Sequence, residues 1–145
     1  MATTWGLTID CESPARVAAF WSLALGYVEP EPPAGHESWQ AWLSAQGVPE
    51  AEWDDGAYLA SPDGNGPTLS FLKVPERKQV KNRLHLDLKV SGGREVAQDQ
   101  REAAIRATVS RLCDVGASVV TEHAEAGSLD HIVMADPEGN EFCVV

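Results

Sequence analysis

The stretch LHLDLKV, residues 84–90, alternates apolar and ionisable side chains. Successive side chains leave a strand on opposite sides, so Leu84, Leu86, Leu88 and Val90 are expected on one face and His85, Asp87 and Lys89 on the other. One face enters a core; the other must meet water, a partner or a cavity. The same alternation stands near the start of the chain. In WGLTIDC, residues 5–11, Trp5, Leu7, Ile9 and Cys11 share one side, and Gly6, Thr8 and Asp10 share the other.

Each of these strands is followed by a helical pattern. After the first, Ser13 and Pro14 supply an N-cap and a first-turn proline. Val17, Phe20, Trp21, Ala24 and Leu25 then keep one apolar stripe, and Gly26 is a C-terminal stop. After the second, residues 91–117 contain a helix with Ile105, Val109 and Leu112 on one face and Gly116 at its end. Strand pairs close both halves: AYLASPDGNGPTLSFLKV, residues 57–74, carries a Pro/Asp/Gly turn, and ASVVTE, residues 117–122, precedes the hairpin HIVMADPEGNEFCVV, residues 131–145.

Set against one another, LASPDGNGPTLSFLKV matches VMADPEGNEFCVV and WGLTIDC matches LHLDLKV. The chain is therefore a repeat of strand, helix, then strands, with a period of about 75 to 80 residues. It reads as one α+β domain over residues 1–145, with module 1 at about 1–76, module 2 at about 82–145, and the basic connector ERKQVKNR between them. Helices should cover the apolar side of each sheet, leaving the two polar sides to face one another. His85, Asp87 and Lys89 would then line a concave space, with Thr8 and Asp10 as counterparts and Asp87, Lys89 and Asp10 forming an ion-pair network. The proline-rich PEPPAG, residues 30–35, leads to residues 37–53, a short amphipathic helix or two carrying Trp39, Trp42 and Trp53 whose place the sequence does not fix.

Composition bounds the function. The 145 residues are 43% hydrophobic, with five tryptophans, enough to build a core. A formal net charge of -11 disfavours nucleic acid and anionic membrane surfaces as partners and favours a cationic ligand. No apolar run approaches the roughly 18 residues of a membrane span, and the N-terminus has no basic stretch followed by an apolar core; a cytoplasmic protein is expected. Cys11, Cys113 and Cys143 contain no CxxC pair and read as small buried residues. The glycine-rich segments are turn chemistry, since no GxGxxG, Walker or GxSxG pattern occurs.

The duplicated module, with AAFWSLALGY, LSFLKVPERKQVKNRLHLDLKV and ADPEGNEFC, resembles the vicinal oxygen chelate superfamily, which holds glyoxalase I, bleomycin-resistance proteins and extradiol dioxygenases. KNRLHLDL with DPEGNEFC is closest to its actinobacterial glyoxalase-like members. The resemblance implies two βαβββ modules forming a cupped mixed sheet with outer helices, and a homodimer. Metal-dependent members hold a divalent ion with one residue from the first and one from the last strand of each module. Here those positions fall on Gly6, Ser70, His85 and Cys143, of which only His85 matches a typical ligand. No cofactor is expected, and a metal site is the least favoured reading.

Three functions follow. A metal-free binding protein of the bleomycin-resistance kind would sequester a cationic or aromatic molecule, with Thr8, Asp10, Ser70 and Leu72 as contacts from the first module and Lys89 and Cys143 from the second. Trp39 and Trp42 would add aromatic faces. Alternatively, a metal-independent lyase or isomerase would use His85 as acid or base, with Asp87 accepting a hydrogen bond from it to fix the tautomer. A metal-dependent lyase or dioxygenase is the third. His36, His123 and His131 lie outside the mapped positions and are taken as structural.

Overall fold

Strand β1, Gly6–Cys11, keeps the predicted alternation, with Cys11 buried and Thr8 and Asp10 exposed. The computed structural model that contains it describes residues 2–145 and divides into two units, Met1–Arg77 and Lys78–Val145. In the first unit α1, Pro14–Leu25, starts at Ser13 and stops at Gly26, which takes φ 69° as its left-handed cap. A seven-residue helix α2, Trp39–Ala45, and a 3-10 turn, Glu50–Asp55, lead into β2, Gly56–Leu59, and β3, Thr68–Lys73.

The first sheet has the order β1-β3-β2, with β1 parallel and β2 antiparallel to β3. A fourth position is reduced to a single bridge between Val28 and Ala60. Pro30, Pro32 and Pro33 follow at once, and prolines have no N–H to extend a ladder. The core side brings Val17, Phe20 and Trp21 of α1 together with Cys11, Leu59, Leu69 and Phe71, all buried. Trp5 departs from expectation. It lies outside β1 and is 64% exposed. The parallel register ends at Gly6 opposite Thr68, and Pro67 precedes Thr68, so no ladder donor stands where Trp5 would pair.

The second unit repeats this topology with more strand. β4, Asp87–Leu88, is parallel to β7, Glu141–Val144, which is antiparallel to β6, Ser128–Ala135, and β6 is antiparallel to β5, Ser118–Glu125. Register fixes the two faces: Leu88, Val144 and Ile132 lie in one row with Met134 and Phe142 beside it. These meet Ile105 and Leu112 of α3, Gln98–Asp114, as the buried core. The opposite face begins with Asp87, Cys143, Val133 and Thr121.

Two expectations need correction. Residues 84–90 do not form one strand: only Asp87 and Leu88 are ladder residues, with pairing carried outward by Cys143 N–H to Leu86 O at 2.9 Å and Val90 N–H to Val145 O at 2.8 Å. Leu84 is 80% exposed. Asn82 Nδ2 donates to Leu84 O at 3.2 Å, and such side-chain bonds compete with a ladder for the carbonyl. Cys113 is also exposed, because it is one residue on from buried Leu112 and so is turned about 100° away from the apolar stripe. Among the described residues, no helix is long and apolar enough to cross a membrane.

Candidate functional site

In the second unit the parallel register places Asp87 opposite Cys143, and the chain entering β4 brings His85 to the same thiol. Cys143 Sγ lies 3.7 Å from His85 Nδ1. His85 and Cys143 are 58 positions apart in the chain; the family resemblance maps both onto ligand positions, and the two side chains are in contact. Burial, reinforced by the negative charge of Asp87 and a hydrogen bond to it, pushes the Cys143 thiol above its ordinary range. The thiol is therefore held protonated at neutral pH, the form that is a poor nucleophile. An S–H turned to Asp87 leaves the sulfur lone pairs toward His85 Nδ1, and the imidazole tautomer sets which of that pair donates.

The expected bond from His85 to Asp87 is not made: both residues approach the thiol instead. Within its own unit none of Asp87, Lys89 and Asp10 has an ion-pair partner among the described residues, and Lys81 pairs with Glu141. Glu141 was not anticipated. It stands two residues before Cys143 on β7, hence on the same face, where the hydrogen bond from Lys81 holds its carboxyl below the usual range. Alternation along β7 was the signal for it.

Asp87, Lys89 and Cys143 line a cavity of about 720 Å³ in this unit, whereas His85 lies outside its wall. The wall also holds Arg94 and Arg101, and Asp130 with His131, so it carries three permanent cations against two side-chain carboxylates. Cations therefore outnumber side-chain carboxylates in this wall, although the whole chain carries a net charge of -11. Charge is segregated along the chain, with eight of the eleven Lys and Arg residues in Lys78–Val145. His131, taken as structural from sequence, faces the cavity, donates from Nδ1 to Asp130 at 2.8 Å and stacks on His123 with ring centres 4.5 Å apart. The hairpin register that brings it there was not visible in composition.

In the first unit Thr8 is paired with Ser70 and Asp10 with Leu72 on the face away from α1. Tyr58, opposite Ser70 on β2, completes that row. Its ring stacks on Trp39 at 5.5 Å and 21°, and Trp42 meets Trp39 edge-on at 5.7 Å. The indole of Trp39 donates to Pro30 O at 2.8 Å and faces a smaller cavity of about 240 Å³ with Glu29 and Glu31. Sequence reasoning missed Tyr58, which alternation alone could not assign to a partner strand.

The four metal-ligand positions can now be tested as donors. His85 and Cys143 are adjacent, Ser70 offers a hydroxyl, and Gly6 offers no side chain. A Cβ at Gly6 would lie 3.0 Å from Thr68 Oγ1, so any larger residue there must displace its neighbour. Among the described residues no group of three or more His, Cys, Asp or Glu side chains is placed to hold a metal ion. This donor set does not fit a catalytic divalent ion, which takes about three protein ligands.

The thiol chemistry has a direct check. Iodoacetamide at neutral pH is expected to label exposed Cys113 first, with Cys143 and Cys11 protected in the native protein and exposed by denaturant; mass spectrometry of the peptides reads the order. Rapid native labelling of Cys143 would contradict a buried, protonated thiol. Because its folded pKa is raised, the proton's contribution to stability is complete below the unfolded thiol range, about 8.5, and is lost as the pH rises through the folded value. Stability of the protein relative to Cys143→Ala should accordingly fall in alkali.

A family model described as a glyoxalase-like domain matches residues 6–145. No curated protein sequence matches the chain. Among solved structures, a glyoxalase/bleomycin resistance protein/dioxygenase family enzyme from Burkholderia phytofirmans PsJN superposes with a TM-score of 0.61 at 14% identity, over 98% of this chain and 97% of that one. A possible glyoxalase from Bacillus cereus gives 0.57 at 14% identity, covering 100% and 99%. A variant of the fosfomycin resistance protein FosX from Listeria monocytogenes, complexed with Mn(II) and 1S,2S-dihydroxypropylphosphonic acid, gives 0.59 at 10% identity over 99% and 89%. At these identities the likeness is one of fold: two small mixed sheets with helices, the glyoxalase/bleomycin resistance arrangement.

Proposed function

The chain belongs to the glyoxalase-like domain family, and from that premise we propose that it is a small-molecule-binding member that works without the family's metal ion. The observation that carries this is the isolated His85–Cys143 pair: two donors, one a thiol kept protonated, where the resemblance implies four ligands, with Gly6 and Ser70 at the other positions. A cavity of about 720 Å³ beside the pair is large enough for a small organic molecule. The Trp39–Tyr58 stack supports an aromatic ligand in the first unit. We take the function as sequestration of the bleomycin-resistance kind, in a cytoplasmic homodimer of the actinobacterial glyoxalase-like group that KNRLHLDL and DPEGNEFC resemble.

A second reading is favoured by one contact. His85 Nδ1 engages Cys143, which leaves Nε2 free to take or give a proton, so the chain could act as a metal-independent lyase or isomerase. Screening a panel of aromatic and charged metabolites by tryptophan fluorescence, with each hit recovered and checked for chemical change, separates the two. Sequestration predicts a hit returned unaltered and bound as well by His85→Ala. Turnover abolished in His85→Ala but retained in His36→Ala would replace sequestration with catalysis, and no hit at all would count against both.

A further inference from the structure

We propose that the cavity of the second unit holds an oxyanion, a carboxylate or a phosphate ester carried by the small molecule, between Lys89 and Arg101. The proposal rests on the reading of that cavity as a ligand site, and it sets the charge of the ligand opposite to that suggested by a chain of net charge -11.

Of the three cations in the wall, Arg94 is spent: Nη1 donates to Glu125 at 2.7 Å and Nη2 to Asp130 at 3.0 Å. Arg101 places only one of its five side-chain N–H groups on a protein acceptor, Nη1 on Gln98 Oε1 at 3.0 Å. Its Nε is shielded from solvent and has no acceptor, a state that costs free energy in a folded protein. Lys89 has neither a side-chain hydrogen bond nor an ion pair among the described residues. Both cations face the same cavity, and a planar or tetrahedral oxyanion is what a guanidinium with free N–H groups recognises.

The side-chain carboxylates in the wall do not offer the same to a cation, and the main chain of Val145, also in the wall, accepts from the N–H groups of Val90 and Ser91. Asp130 has Oδ1 taken by Arg94 and Oδ2 by His131, and Asp87 is turned to the Cys143 thiol. The rim between Lys89 and Arg94 is Ser91, Gly92 and Gly93. The two glycines take φ 77° and 91°, and the space where a Cβ of Gly93 would stand is open. A hydroxyl and the open position at Gly93 thus adjoin the two cations, while Val96 fills the space beside Gly92.

The test uses the whole chain, ¹⁵N-labelled, titrated with four probes of one ring and different charge: benzoate, phenyl phosphate, benzamide and benzylammonium. All five tryptophans lie in the first unit, so the readout is taken within the second. The amides of Ser91, Gly92 and Gly93 and the side-chain Nε–H of Arg101 report instead. Benzoate or phenyl phosphate is expected to shift these signals, with affinity reduced roughly tenfold in Lys89→Gln, whose remaining spectrum should overlay that of the parent. Arg101→Gln should weaken the same probe, and the stronger of the two anions tells carboxylate from phosphate. Equal binding of the anions to parent and Lys89→Gln overturns the proposal. Binding of benzamide or benzylammonium at these signals without the anions overturns the oxyanion but keeps a ligand cavity; silence from all four probes overturns the oxyanion and removes this cavity from the functional reading.

Discussion

Replacing Asp136 by alanine is expected to cost about 3 kcal/mol of folding stability, read as a lower urea midpoint at unchanged slope. Asp136 is a polar residue only 3% exposed, at the turn between β6 and β7. Its Oδ1 accepts from the backbone N–H groups of Glu138 and Asn140, both at 2.9 Å, and Oδ2 accepts from Asn140 Nδ2 at 3.0 Å. Alanine leaves three donors short of an acceptor in a place where water cannot readily replace it. Asparagine keeps one carbonyl oxygen for the two backbone donors and loses the Asn140 side-chain bond, so Asp136→Asn should cost about 1 kcal/mol. The turn also sets the register that delivers Cys143 to His85. Native alkylation of Cys143 should therefore quicken in Asp136→Ala, and an alanine variant as stable as the asparagine one would show that the turn is held by something else.

The matching turn of the first module is built differently. There Asp63 is exposed, and hydrogen bonds from the Ser61 hydroxyl and the Asn65 amide lower its pKa to about 2. The two segments look alike in sequence, but Ser61 stands where the second module has Asp136, and Asp63 matches Glu138. Turn chemistry was legible because Asp, Gly and Asn have local roles; burial was not, because it depends on what packs over the turn.

That contrast runs through the chain. The duplication was legible from alternation and from the Ser13, Pro14 and Gly26 bounds of α1, all local signals. The meeting of His85 with Cys143 was legible only through the family resemblance, which maps a ligand position onto the first and the last strand of each module; the parallel pairing of β4 with β7 brings the two together. Leu84 misled because an apolar residue in an alternating run was given a strand that Asn82 interrupts. The charge of the second cavity was hidden by a whole-chain sum, which averages an acidic first unit with a second that holds most of the cations. Tyr58, Glu141 and His131 enter through cross-strand register, which single-residue alternation does not encode.

Metal content is the other large effect. The four positions that would hold an ion present an imidazole, a protonated thiol, a hydroxyl and a glycine. Each missing ligand removes a large part of the affinity, and a site with two donors should lose its ion to buffer exchange. The decisive measurement is elemental analysis of protein purified without added metal and then equilibrated with nickel, zinc or ferrous iron and desalted, alongside His85→Ala. The account predicts well under one ion per chain in both proteins, with no difference between them. One equivalent of nickel, zinc or iron in the parent, lost on changing His85 to alanine, would contradict it.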